Sequence, residues 1–209
     1  MRTLEDFGYD GLAALRWAIT IQNGYPSLEQ AVASLALFVS QDTVAQTTHN
    51  IFRMARGGRR RTFDAADQPT IMWDDNEGPH VALKAAGGPP VERRHLELNH
   101  LYGASVEFFT DLRSFCITPS FLKKLTDSDP RILALLRRRA FVLYEFAPMG
   151  EPSTDGYEEL KWAPTLPPVM HLRSRLESMI AHRNSSAARS VRQFGWCFNE
   201  FGGNPWAGV

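Results

Sequence analysis

The sequence predicts an α+β protein: an N-terminal helical part with a basic β-hairpin, followed by a ββα-containing part with further helices. Three observations carry this prediction. Apolar residues recur at helical spacing through much of the first 54 positions. Short alternating or β-prone runs stand at 70–73, 95–98 and 112–117. The rigid pair Pro89-Pro90 separates the two patterns, which divides the chain into 1–88 and 89–209. A chain of 209 residues is long enough to bury a sizeable core, as one large domain or two small ones.

The elements follow in order. Residues 11–22 read as a largely buried helix stopped by Asn23-Gly24. Ser27 and Gln30 have capping-box spacing at the start of a second helix, whose apolar face runs to Phe38. Ser40-Gln41-Asp42 caps a third helix over 43–54, polar on much of its surface and stopped by Gly57-Gly58. Two β-prone segments, 59–64 and 70–73, flank a Pro-containing turn and predict a hairpin. Three helices and a basic hairpin form the element order of a winged helix-turn-helix, which lays a polar helix in the major groove and a hairpin on phosphate. A short helix over 80–86 completes the first part.

In the second part Asp129-Pro130 is a cap followed by proline at the first helical position. Ile132, Leu133, Leu136, Ala140, Phe141 and Tyr144 mark the buried stripe of that helix. A further helix covers 169–182, and 187–194 reads as a short basic turn. The tail from 194 to 209 carries Trp196, Phe198, Phe201 and Trp206, which are expected to pack back onto the body.

The formal net charge is zero, so no partner follows from the total. The charge is segregated, however. Arg53, Arg56, Arg59, Arg60 and Arg61 form one basic cluster and Arg137, Arg138 and Arg139 a second. Each reads as a phosphate-contacting face or as a solvated helix end. Acid gathers at Asp74-Asp75-Asn76-Glu77, where the oxygens lack the spacing of a calcium loop and a solvated turn is expected. The two cysteines, Cys116 and Cys197, have no zinc-ligand spacing, and Cys116 reads as a buried free thiol. The N-terminus lacks a leader pattern and no apolar run approaches the ~20 residues of a membrane span. A cytoplasmic protein with no membrane partner is therefore expected. Glycine loops for nucleotides and a nucleophile-elbow serine are absent from the sequence, which argues against nucleotide cofactors and that serine-hydrolase chemistry.

The chemistry-bearing stretch is 95–144. A strand ends on Asn99-His100, a loop and a second strand follow, and a helix comes next. Asn-His at a strand end is also an ordinary turn former whose imidazole satisfies backbone groups. His95 lies five residues before His100, an odd offset that puts the two on opposite faces of an extended strand.

This order resembles the ββα-metal, or HNH, endonucleases over about fifty residues. The resemblance implies that His100 is the general base and Asn99 a ligand of a divalent metal, Mg or Mn. Ser114 falls near the position of the family's His-orienting Asn. The helix segment 121–124 offers no His or Asn, so the last ligand would come from His95, Asp111 or Asp127. Lys123 and Lys124 would contact phosphate, together with Arg53, Arg59, Arg60, Arg61, Arg137 and Arg138. The implied activity is metal-dependent hydrolysis of DNA, of the restriction or phage-defence kind. A non-catalytic DNA-binding regulator is the alternative, using the 43–54 helix and the hairpin. A protein-interaction subunit is the third reading, a homodimer or part of a larger complex with the aromatic tail as contact surface.

Overall fold

The computed structural model describes residues 11–19, 24–47, 49–56, 71–74, 76–89, 95–103, 107–122, 125, 129–153 and 156–198. Arg59, Arg60, Arg61, Lys123, Lys124, Asp127 and the tail beyond Phe198 lie outside these. The elements are α1 (Gly11–Trp17), α2 (Leu28–Leu35), α3 (Gln41–Val44), β1 (Met54–Arg56), β2 (Met72–Asp74), α4 (Glu77–Ala85), β3 (Leu96–His100), β4 (Phe115–Pro119), α5 (Pro130–Tyr144), α6 (Leu172–Ile180) and α7 (Ser186–Phe194), with 3-10 turns at Leu112–Ser114 and Ser120–Leu122. Helices and strands are both present, and the α+β class holds. No helix among the described residues is long and apolar enough to cross a membrane.

Local chemistry accounts for the helix starts. The Ser27 hydroxyl accepts from Gln30 N at 3.0 Å, which caps α2. Gln30 does not close the expected capping box. Its side-chain amide instead holds both Lys161 N (3.1 Å) and Lys161 O (2.9 Å), tying a distant loop to the helix. Asp129 accepts from Arg131 N at 3.0 Å ahead of Pro130, as the sequence predicts for α5. Buried Leu135 rather than Leu133 completes that helix's stripe. The segment expected to be a short basic turn is α7, a helix whose Ser185 cap accepts from Ala188 N at 3.2 Å.

The first part departs from a winged helix. α2 ends at Leu35, and Leu37 exchanges two backbone bonds with Ile117 (2.9 and 3.0 Å). From Ala36 to Val39 the apolar side chains alternate between two cores, so strand periodicity wins over helical continuation. α3 stops at Val44, and the expected 43–54 helix does not form. Its polar residues Thr47 and Asn50 are buried instead of presented to a groove. Asn50 Oδ1 accepts from Thr110 N at 2.8 Å, and the Thr110 hydroxyl accepts from Ile51 N (3.1 Å) and Phe52 N (3.0 Å). A side chain from the second part thereby satisfies the backbone that a helix would have satisfied. The 59–64 arm of the expected hairpin lies outside the described residues. β1 pairs with β2 in parallel, Met54 opposite Met72, Ala55 opposite Trp73 and Arg56 opposite Asp74. Residues 57–71 between them are long enough for the crossover that parallel pairing needs.

β3 and β4 pair antiparallel, with Leu98 opposite Ile117, Asn99 opposite Cys116 and His100 opposite Phe115. Both faces of this pair are covered. Leu98, Phe115 and Ile117 join a core with β1, α4, α6 and α7, while Cys116 joins a core with α2 and α5. Each core draws residues from before and after Pro89-Pro90, so that proline pair does not separate two hydrophobic interiors.

The Thr110 hydroxyl is the hinge of this arrangement, and Thr110→Val leaves Phe52 N without its acceptor and Ile51 N with only the 3.4 Å contact to Thr110 O. Urea unfolding is expected to show a loss of about 2–3 kcal/mol, with a lower midpoint and an unchanged m-value. A loss within about 0.5 kcal/mol would show that this hydroxyl does not hold the 50–52 segment.

Candidate functional site

The site implied by the sequence is the end of β3 with the turn leading into β4. Successive residues of a strand face opposite sides. His100 faces the first core, its ring stacked on Phe109 at 5.0 Å (interplanar angle 9°) and edge-on to Phe115 at 5.9 Å. Asn99 is buried on the other side. Its amide donates to Thr118 Oγ1 at 2.7 Å and to Glu97 O at 3.2 Å. The pair expected to share a metal and a water is thus divided by the plane of the sheet.

The remaining members of the expected set hold the fold together. Ser114 is buried and its hydroxyl is directed at the carbonyls of Phe108 (2.6 Å) and Asp111 (2.8 Å), so it closes the turn and does not orient His100. Asp111, 1 % exposed, accepts from Arg113 N (2.9 Å) and forms a two-pronged ion pair with the Arg113 guanidinium, through Oδ1 at 3.0 Å and Oδ2 at 2.6 Å. The same guanidinium lies over the Phe146 ring at 4.3 Å. Asp111 is therefore a buried structural anion, not an open ligand. Among the described residues no three His, Cys, Asp or Glu side chains converge to hold a metal ion. The described candidates Asn99, His100 and Asp111 are not gathered into the Mg or Mn site that the resemblance implies, and Asp127 lies outside the described residues.

The second arginine cluster is also structural. Arg137 lies over Tyr102 at 5.0 Å and donates through Nε to Leu101 O at 2.7 Å. Arg138 lies over Phe141 at 5.1 Å and pairs with Glu151 at 2.7 Å. Arg139 lies over Trp162 at 5.1 Å and donates to the Tyr157 hydroxyl at 3.1 Å. All three are half-buried, each flat on an aromatic face. Arg137 and Arg138, expected to contact phosphate, are each held by these intramolecular contacts. Arg53 is likewise half-buried, over Phe194 at 5.7 Å.

Two residues that the sequence did not place at the site belong there. Arg56, exposed at the end of β1, and His80, exposed on α4, both act electrostatically on His100. Nothing in the linear pattern brings them together. The parallel β1–β2 pairing and the seating of α4 do so: Gly78 approaches so closely that a Cβ there would stand 2.7 Å from Met54 Sδ. His80 belongs in sequence to the acidic stretch, whose described carboxylates, Asp74 and Glu77, are committed elsewhere. Asp74 accepts from Glu77 N (3.1 Å) and Gly78 N (2.5 Å) at the start of α4, and Glu77 accepts from Ser186 N (2.7 Å) at the start of α7. Burial tends to raise the Glu77 pKa, but bonds from Ser186, Ala187 and Ser185 outweigh it and hold the carboxyl below its usual range.

Burial first, and then the charges of Arg56 and His80, push the His100 pKa from 6.5 down to about 4. Both ring nitrogens are closed off from solvent and have no hydrogen-bond partner among the described residues. A general base must reach the water it deprotonates, and this imidazole, neutral at pH 7, does not. Cys116 and Cys197 are buried, and burial pushes each thiol up to about 12, which keeps both protonated and unreactive. Comparison with protein-family models, with curated proteins and with solved structures finds no match to this chain.

The buried imidazole makes stability depend on acid. Above pH 6.5 it is neutral in both the folded and the unfolded chain. Below 6.5 the unfolded chain takes up the proton first, so stability falls between pH 6.5 and about 4, by up to about 3 kcal/mol. His100→Phe keeps the aromatic packing and removes both unpartnered nitrogens. Its stability at pH 7 is expected to equal or exceed that of the parent, and the drop between pH 6.5 and 4 to be smaller. Parallel slopes for the two proteins in urea melts across that range would refute the assignment.

Proposed function

We propose that this protein binds DNA at the corner where β1 and β3 end and α4 begins. One observation carries the reading: the Arg56 cation and His80 are both exposed, come from different elements, and lie close enough to the half-buried His100 ring to act on it. Arg59, Arg60 and Arg61 follow Arg56 in the sequence, extending the same charge. A cluster of like charges is relieved by a polyanion, and release of counterions from the phosphate backbone drives the association. In this reading Arg56 and His80 contact phosphate. His100 is the packed floor beneath them.

A metal-dependent endonuclease is the second reading, favoured by the antiparallel β3–β4 pair followed by α5. It requires the His100 ring to leave its place beside Phe109 and Phe115, and the Asn99 amide to release Thr118.

Mobility-shift titrations of duplex DNA in EDTA separate the readings. The expected result is binding that weakens steeply with salt. Arg56→Ala is expected to weaken it about 3- to 10-fold and to lower the salt slope by about 1. No shift at 50 mM salt would remove the binding proposal. Plasmid nicking that needs Mn and disappears in His100→Ala would replace it with the nuclease.

A further inference from the structure

A second site lies away from the β3 corner. A cavity of about 330 Å³ opens between α2, α5 and the loop after α5, lined by Glu29, Arg131, Ala134, Leu135, Ser153 and Leu160. Its volume falls within the range of small-ligand pockets, and its lining follows their usual pattern of an apolar floor with few polar groups. Ala134, Leu135 and Leu160 supply the floor. Glu29 and Arg131 supply opposite charges that do not pair with each other. Glu29 has no hydrogen-bond or ion-pair partner among the described residues. Arg131 makes only a 3.6 Å contact with Asp129, and its side chain remains 67 % exposed.

The wall of the cavity is tethered on both sides. Gln30 holds Lys161 through two hydrogen bonds next to Leu160. Arg138 holds Glu151 (2.7 Å) and Pro152 O (3.5 Å) next to Ser153. Two unlike charges kept apart across a preformed apolar cavity suit a ligand that itself carries both signs and an apolar group between or beside them. We propose that this cavity binds a small apolar zwitterion of the amino-acid type, its ammonium on Glu29, its carboxylate on Arg131 and its side chain on Leu135 and Leu160.

The test is a set of titrations of the full chain followed by NMR, with L-leucine and L-leucyl-L-leucine as zwitterions and leucinamide and 4-methylpentanoate as singly charged controls. At least one zwitterion is expected to saturate, with each control at least 10-fold weaker. Glu29→Gln should abolish the preference over 4-methylpentanoate, and Arg131→Gln the preference over leucinamide. The better of the two zwitterions distinguishes a free amino acid from a peptide. Both variants change solvent-facing charges, and their backbone spectra report whether the fold is kept. Equal affinity for all four probes, or no saturation by either zwitterion at 50 mM, would overturn the proposal.

Discussion

The structure depends on a short antiparallel pair of strands with a hydrophobic core against each face. β4 lies between β3 and the Leu37 segment, and the side chains of the pair enter one core or the other. A strand in that position has nowhere to leave a polar group unpaired, because each unmet group costs on the order of 1–3 kcal/mol. The buried polar residues around it obey this constraint. Asn99 pairs with Thr118, Ser114 and Asp111 close the preceding turn, and Thr110 holds the 50–52 backbone. His100, with both nitrogens unpartnered, stands apart from them.

The same geometry decides what the implied nuclease motif amounts to. Adjacent residues on a strand lie on opposite sides of the sheet, so His100 stacks on Phe109 while Asn99 bonds Thr118 on the other side. α5 packs on the Asn99 side, through Ile132, Leu136 and Ala140. The basic triplet on α5 is drawn onto Tyr102, Phe141 and Trp162, where guanidinium groups serve as flat packing surfaces with charged rims. An exposed cation remains where β1 ends, at Arg56, with the exposed His80 of α4 near it. The binding reading rests on these two residues rather than on the residues that carry the resemblance.

Where a signal was local, the sequence was legible. Ser27, Ser40 and Asp129 cap the helices they precede, and Asp129-Pro130 marks the start of α5. Alternation located β3, and the apolar run around Cys116 located β4 with a buried free thiol. Residues 43–54 misled because their polar surface resembles a solvated helix face, whereas Thr47 and Asn50 are buried and the Thr110 hydroxyl serves the 51–52 backbone. Partners sixty positions away leave no periodic trace. α7 was missed because it is short and polar on average, although Ala187, Ala188 and Ser190 are buried on one face and its arginines lie on the other.

The class of fold and the starts of α2, α3 and α5 were determined by the sequence itself, since propensity, capping and periodicity act over a few residues. Which strands pair in parallel, which face each polar residue takes, and which cations stay in water were decided by tertiary structure. Those outcomes depend on desolvation and on contacts between distant segments, and only the packed chain brings such groups within reach of one another.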